Sequence, residues 1–114
     1  MNNGSKSRRK GHSYERDLAK KFRDLGYDCT TSRFTSRALD AMGVDLCGVT
    51  GFNIQAKNVE RLGGLHPILA SMPTEGINLV FHKRTRQGSV VAMSEEDFFV
   101  LLKLLIGAEL VSVC

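Results

Sequence analysis

A chain of 114 residues with 42% apolar side chains and a formal charge of +4 has material for one core and little room for a second domain. No apolar run approaches the roughly 18 to 20 residues that span a bilayer, and no apolar stretch follows the basic N-terminus, which excludes a secretory signal; a cytoplasmic protein with no membrane partner is expected. Cys29, Cys47 and Cys114 stand far apart in no CxxC or Cys/His spacing, which argues against a disulfide framework or structural zinc and leaves Cys29 and Cys47 as small strand residues.

The charge is unevenly spread. Residues 1–37 hold ten Lys/Arg against four Asp/Glu, and residues 38–114 hold six against eight. Such asymmetry suits a chain that meets phosphate on one face; a solubilising tail beside an ordinary solvated helix face is the alternative.

Residues 1–11, MNNGSKSRRKG, are polar, basic and without apolar periodicity, so a flexible tail is expected ahead of a single domain over 12–114. SYERDLAKKFRDLGY then predicts a helix capped by Ser13 and stopped by Gly26, with Tyr14, Leu18, Phe22 and Leu25 on one stripe. Glu15 falls at the edge of that stripe, where a carboxylate can look into a cleft. YDCTTSRF predicts a first strand and TSRALDAMG a loop. VDLCGVTGFNIQAK predicts a hairpin, RLGGLHPILASMP a short helix or ordered loop, GINLVFHKR a buried strand, and SVVAM a further strand after the turn TRQG. Ser94 with Asp97 three residues on resembles a capping box that opens an amphipathic helix, EEDFFVLLKLLIG, ended by Gly107. Core packing is the expected use of most of that helix. AELVSVC is expected to add an edge strand or to pack on a partner. This order predicts an α/β domain with a mixed central sheet flanked by helices.

Within the hairpin, a three-residue turn over VTG with Gly51 left-handed pairs Leu46 with Ile54, Val44 with Ala56 and Gly48 with Phe52, and sets Asp45 opposite Gln55. The apolar partners then share one face. Asp45, Gln55 and Lys57 share the other. A carboxylate and an amide oxygen hold a hard divalent cation, and an adjacent ammonium positions water or offsets charge on a phosphoryl oxygen. Ordinary solvent-facing residues on a half-exposed hairpin are the alternative.

Asp45, Gln55 and Lys57, as D-x9-Q-x-K, resemble the signature of the PD-(D/E)XK nucleases. GHSYERDLAKKFRDLGYDC is similar to the first helix of archaeal-type Holliday-junction resolvases, with Gly11, Glu15 and Arg16 in the matching positions, and TSRFTSR is similar to the Arg/Ser segment ahead of their catalytic Asp. The resemblance runs over residues 11–58. Val44 stands where the motif has Pro, and Gln55 where it usually has Glu, as in Mrr-type endonucleases; one negative charge at the metal is thereby missing. Glu60 would compensate if the strand continued to it. Asp40 is expected to be a structural or solvent-facing loop residue.

The resemblance implies a restriction-endonuclease-like core and a structure-selective endonuclease that resolves four-way junctions or other branched DNA, acting as a homodimer with Mg²⁺, for which Mn²⁺ would substitute, and no small-molecule cofactor. It implies Glu15, Asp45, Gln55 and the Ala56 carbonyl as metal ligands, Lys57 as the residue that positions the attacking water, and a loop serine that is either Ser32 or Ser36, with Ser36 preferred. Arg16, Arg33 and Arg37 would grip phosphates around the scissile one. Lys6, Arg8, Arg9 and Lys10 would add salt-sensitive affinity for duplex arms. The alternatives are another nuclease of the same fold that nicks or cuts linear duplex, and a non-catalytic nucleic-acid-binding module in which Gln55 marks a lost metal site.

Overall fold

The computed structural model describes residues 3–113. Helix α1 (Asn3–Asp24) leads into strand β1 (Thr30–Thr31), the short helices α2 (Ser32–Thr35) and α3 (Arg37–Ala41), and the hairpin of β2 (Leu46–Cys47) with β3 (Phe52–Asn58). Helix α4 (Leu65–Ser71), strands β4 (Ile77–Arg84) and β5 (Gly88–Ala92), and helix α5 (Glu95–Gly107) complete the chain. The five strands form one mixed sheet in the order β1-β2-β3-β4-β5. Every neighbouring pair is antiparallel except β3 and β4, which run parallel from Phe52↔Ile77 to Asn58↔Lys83. A parallel pair needs a crossover, and α4 supplies it.

One face of the sheet carries the main core. Tyr14, Leu18 and Ala19 of α1 pack on Leu46, Ile54, Ala56, Ile77 and Leu79, with Phe22, Phe81, Met93 and Leu101 partly buried around them. The alternation of a strand puts Gln55 and Lys57 on the opposite face, which Gln55 shares with the fully buried Val80, its partner in register. The chain reverses between β2 and β3 through Gly48, at φ +92°, where a Cβ would lie 2.1 Å from the Asp28 carbonyl oxygen.

Several expectations meet a different outcome. Helix α1 begins at Asn3 and not near Ser13, because nothing between residues 3 and 12 breaks a helix except two tolerable glycines, while Lys and Arg favour one. Of the expected flexible tail, residues 1 and 2 lie outside the described residues; Lys10 is tied down, with its ammonium 3.6 Å from Glu60 and 3.3 Å from the Thr85 hydroxyl. Leu25 lies beyond the last helical residue and is 77% exposed, because the turn at Gly26 takes it off the stripe. SRFT and RALDA form short helices in place of a strand end and a loop. Helix α5 starts as expected, with the Ser94 hydroxyl accepting from the Asp97 N–H at 3.0 Å, but none of its residues is buried. Its contacts are with β4, where the Asp97 carboxylate accepts from the Asn78 N–H at 3.0 Å, and only Leu101 packs partly against the main core, so most of its apolar face stays uncovered. Residues 108–111 form a turn and a bend and residues 112–113 no regular structure, in place of an edge strand; Cys114 lies outside the described residues. Among the described residues, no helix is long and apolar enough to cross a membrane.

Candidate active site

The hairpin register holds at its centre, with Leu46 opposite Ile54. The ladder holds that pair alone: the expected Gly48–Phe52 pair does not form, the Phe52 N–H going to the Val49 carbonyl at 3.0 Å, nor do the Asp45–Gln55 and Val44–Ala56 pairs. The Asp45 N–H still reaches β3, donating to the Ile54 carbonyl at 2.7 Å, but the preceding segment claims the rest: the buried Ser32 donates its hydroxyl to the Val44 carbonyl and its N–H to the Asp45 carbonyl at 2.8 Å, and the Val44 N–H goes to the Leu39 carbonyl. Beyond the end of β2, the Ala56 N–H would face an empty edge. The Asp45 carboxylate accepts from it at 2.7 Å.

That contact brings Asp45 onto β3 among the other candidate residues. Burial pushes the Asp45 carboxyl up to about 6; the Ala56 N–H opposes the rise, the Glu15 charge adds to it, Lys57 opposes it and Asp40 adds to it. Glu15, on the flank of α1, is also raised by burial, with the Arg33 guanidinium 3.4 Å away as the main offset. The Gln55 amide packs against Gly43, where a Cβ would approach it to 3.2 Å, and its Oε1 is buried with no hydrogen-bond partner. The outer Nη2 of Arg33 is buried and unpartnered too. Lys57 lies along a cavity of about 500 Å³ that also touches Arg61, Leu62, Pro67 and Ile68.

Glu15, Arg33, Asp45, Ala56 and Lys57 are thereby linked, and Gln55 stands next to Ala56 on β3 with its amide against Gly43. Ser36 is elsewhere engaged: its hydroxyl caps α3, accepting from the Leu39 N–H at 3.3 Å. Ser32 anchors the strand instead. Glu60 does not extend the site, since β3 ends at Asn58 and the Glu60 carboxylate accepts from the Thr85 N–H at 2.8 Å. Arg37 is exposed on α3, and Lys6, Arg8 and Arg9 are exposed on the first turns of α1. Arg16 is exposed on α1 near Glu15 and His12.

Two residues join the neighbourhood unexpectedly. Asp40, exposed on α3, acts on both Asp45 and Glu15. His12 sits one turn before Glu15; burial, then the positive charges of Arg33, Arg16 and Arg8, lower its pKa, with Asp40 opposing. The signal for His12 was the i, i+3 spacing to Glu15, hidden by a helix expected to start only at residue 13.

The donor set can be weighed against a hard divalent cation. Among the described residues no group of three or more His, Cys, Asp or Glu side chains is disposed to hold a metal. The oxygen donors are instead two carboxylates, Glu15 and Asp45, with the Gln55 amide oxygen and the Ala56 backbone carbonyl beside them. Both carboxylates resist ionisation where they stand, and a buried amide oxygen lacks a partner. A cation between Glu15 and Asp45 relieves both carboxylates, so the residues fit one.

No family model, no curated protein and no solved structure matches this chain.

Proposed function

We propose that the protein is a metal-dependent endonuclease with a restriction-endonuclease-like core that cuts branched DNA, four-way junctions foremost. The observation that carries this reading is that Glu15 from α1 and Lys57 from β3 both act on the Asp45 carboxylate, which is bonded to the Ala56 N–H next in sequence to Gln55, whose oxygen is buried and unpartnered. Glu15, Asp45, Gln55 and the Ala56 carbonyl would hold Mg²⁺, which when bound supplies an activated water and offsets phosphoryl charge. The chain's own groups do the rest. Lys57 stands beside Asp45 and orients water toward the phosphorus. Arg33 already lies against Glu15, with one buried N–H free for a phosphate oxygen, and Arg16 adds a second cation nearby. The basic first turns of α1 extend the positive surface along a duplex arm.

Two symmetric cuts across a junction call for two subunits. The support for a homodimer is the unburied apolar surface of α5 and the residues after it, with Phe98, Phe99, Leu104, Leu110 and Val113 each 47% exposed or more.

Cleavage of a labelled four-way junction beside its linear duplex, in Mg²⁺ and then in EDTA, tests the reading. Paired, Mg²⁺-dependent nicks that vanish in Asp45→Asn are expected. Cutting of linear duplex alone would make it a nuclease with another substrate. Binding with no cutting in Mg²⁺ or Mn²⁺ would make it a non-catalytic binder.

A further inference from the structure

Phe34 is the most exposed aromatic ring among the described residues, at 82%, although it follows directly on the arginine that touches Glu15. Its position is not slack. Helix α2 is pinned at its first residue, where Ser32 is wholly buried and bonded to the carbonyls of Val44 and Asp45. Two residues on, the far side of a helix must face outward, so the anchor that fixes Asp45 also fixes Phe34 in solvent. The Arg33 guanidinium lies 4.5 Å from the ring centroid and holds one side of it. A groove of about 300 Å³ runs from the ring to α1, lined by Arg16, Ala19, Arg23, Thr30 and Thr31.

An open aromatic ring, two arginines on the groove wall, two threonine hydroxyls and a third arginine bridging to the candidate metal ligands make up the chemistry that takes a single nucleotide: the base on the ring, its phosphates on the guanidiniums. Resting on the nuclease reading above, we infer that Phe34 is a stacking platform for an unpaired DNA base beside the scissile phosphate, and that this contact selects branched over fully paired DNA. In a continuous duplex every base is already stacked, and Phe34 gains nothing. At a branch point an unstacked base is available at small cost, and the ring receives it.

Binding in EDTA tests this without any need for cleavage. Anisotropy is read for a junction with an unpaired nucleotide at the branch and for a linear duplex of equal length, using wild type, Phe34→Ala, Phe34→Tyr and Phe34→Trp. Phe34→Ala should weaken the branched substrate about five- to a hundredfold and the linear one less than twofold, while Tyr and Trp retain wild-type affinity. Because the chain has no tryptophan, Phe34→Trp also introduces a lone fluorophore whose emission should be quenched by the branched DNA and not by the linear. Equal affinity of Phe34→Ala and wild type for the branched substrate overturns the inference alone, as does an equal loss on both substrates. A wild-type protein that binds neither DNA overturns the nuclease reading together with it.

Discussion

Replacing Asp45 with Asn should make the metal-free fold more stable, and increasingly so as pH rises, while abolishing the proposed cleavage. The Asp45 carboxyl goes from 3.8 to about 6 on folding, mainly through burial. At about 1.4 kcal/mol for each tenfold, that rise sets a ceiling of roughly 3 kcal/mol on what the ionised side chain costs the fold at pH 8. The sign follows from proton counting. Well below pH 3.8 the carboxyl is protonated in both states and costs nothing. Between about pH 4 and 6 the folded chain keeps a proton that the unfolded chain has released, so stability falls through that window and the full cost stands above it. Asn keeps an oxygen for the Ala56 N–H but must find a partner for its NH₂, which returns about 1 kcal/mol of the gain. A net advantage of about 1 to 2 kcal/mol at pH 8, shrinking to nothing or reversing at pH 4, is expected from urea unfolding of both proteins in EDTA at the two pH values. A difference between variant and wild type that does not move with pH, or that moves against the variant as pH rises, would refute the account of Asp45 as a carboxylate buried at a cost to the fold.

The remaining expectations concern other parts of the same framework. Gly48→Ala sets a Cβ against the Asp28 carbonyl at a positive φ and should cost about 2 kcal/mol or more, read as a lower urea midpoint. Ser32→Ala leaves the Val44 carbonyl without its buried donor and should cost about 1 to 3 kcal/mol, with loss of junction cleavage as the strand end bearing Asp45 loosens. Leu104→Glu, at a position 63% exposed, should leave the monomer's fold intact and abolish the proposed dimer in sedimentation equilibrium; a dimer that persists would move the interface off α5, and a monomeric wild type would remove the homodimer from the reading. Mg²⁺ should raise the melting temperature of the wild type at pH 8 but much less at pH 5, where protons compete for Asp45, and should not raise that of Asp45→Asn.

What could be read from the sequence was what short-range pattern controls. The alternation of Leu46, Ile54 and Ala56 with polar residues gives the hairpin register, Gly51 marks the left-handed turn, and Ser94 with Asp97 opens α5. The hidden parts were decided by long-range competition for backbone groups or for surface. The hairpin ladder ends early because Ser32, a residue twelve positions upstream, takes the Val44 carbonyl. SRFTSRALDA carries no strong helical period over its two short turns, so its folding against β2 could not be seen in advance. The amphipathic α5 looked like a core helix, since periodicity reports that a face is apolar and not whether the sheet has room for it.

Opposite electrostatic demands meet at the site. On one side stand two carboxyls whose ionisation burial disfavours and an amide oxygen with no donor; on the other stands a guanidinium with a buried N–H and no acceptor. The two sets do not satisfy each other, although Arg33 reaches Glu15, because Gln55 needs a donor or cation and Arg33 needs a further anion. A purely structural cluster would gain stability from apolar or fully paired side chains at these positions. A ligand pair that brings a cation to the oxygens and an anionic oxygen to the guanidinium answers both demands at once, and a metal ion bound with a phosphodiester is such a pair. The missing charge of an amide at Gln55 is met in part by Asp40 from α3, which adds its negative field to Asp45 and Glu15.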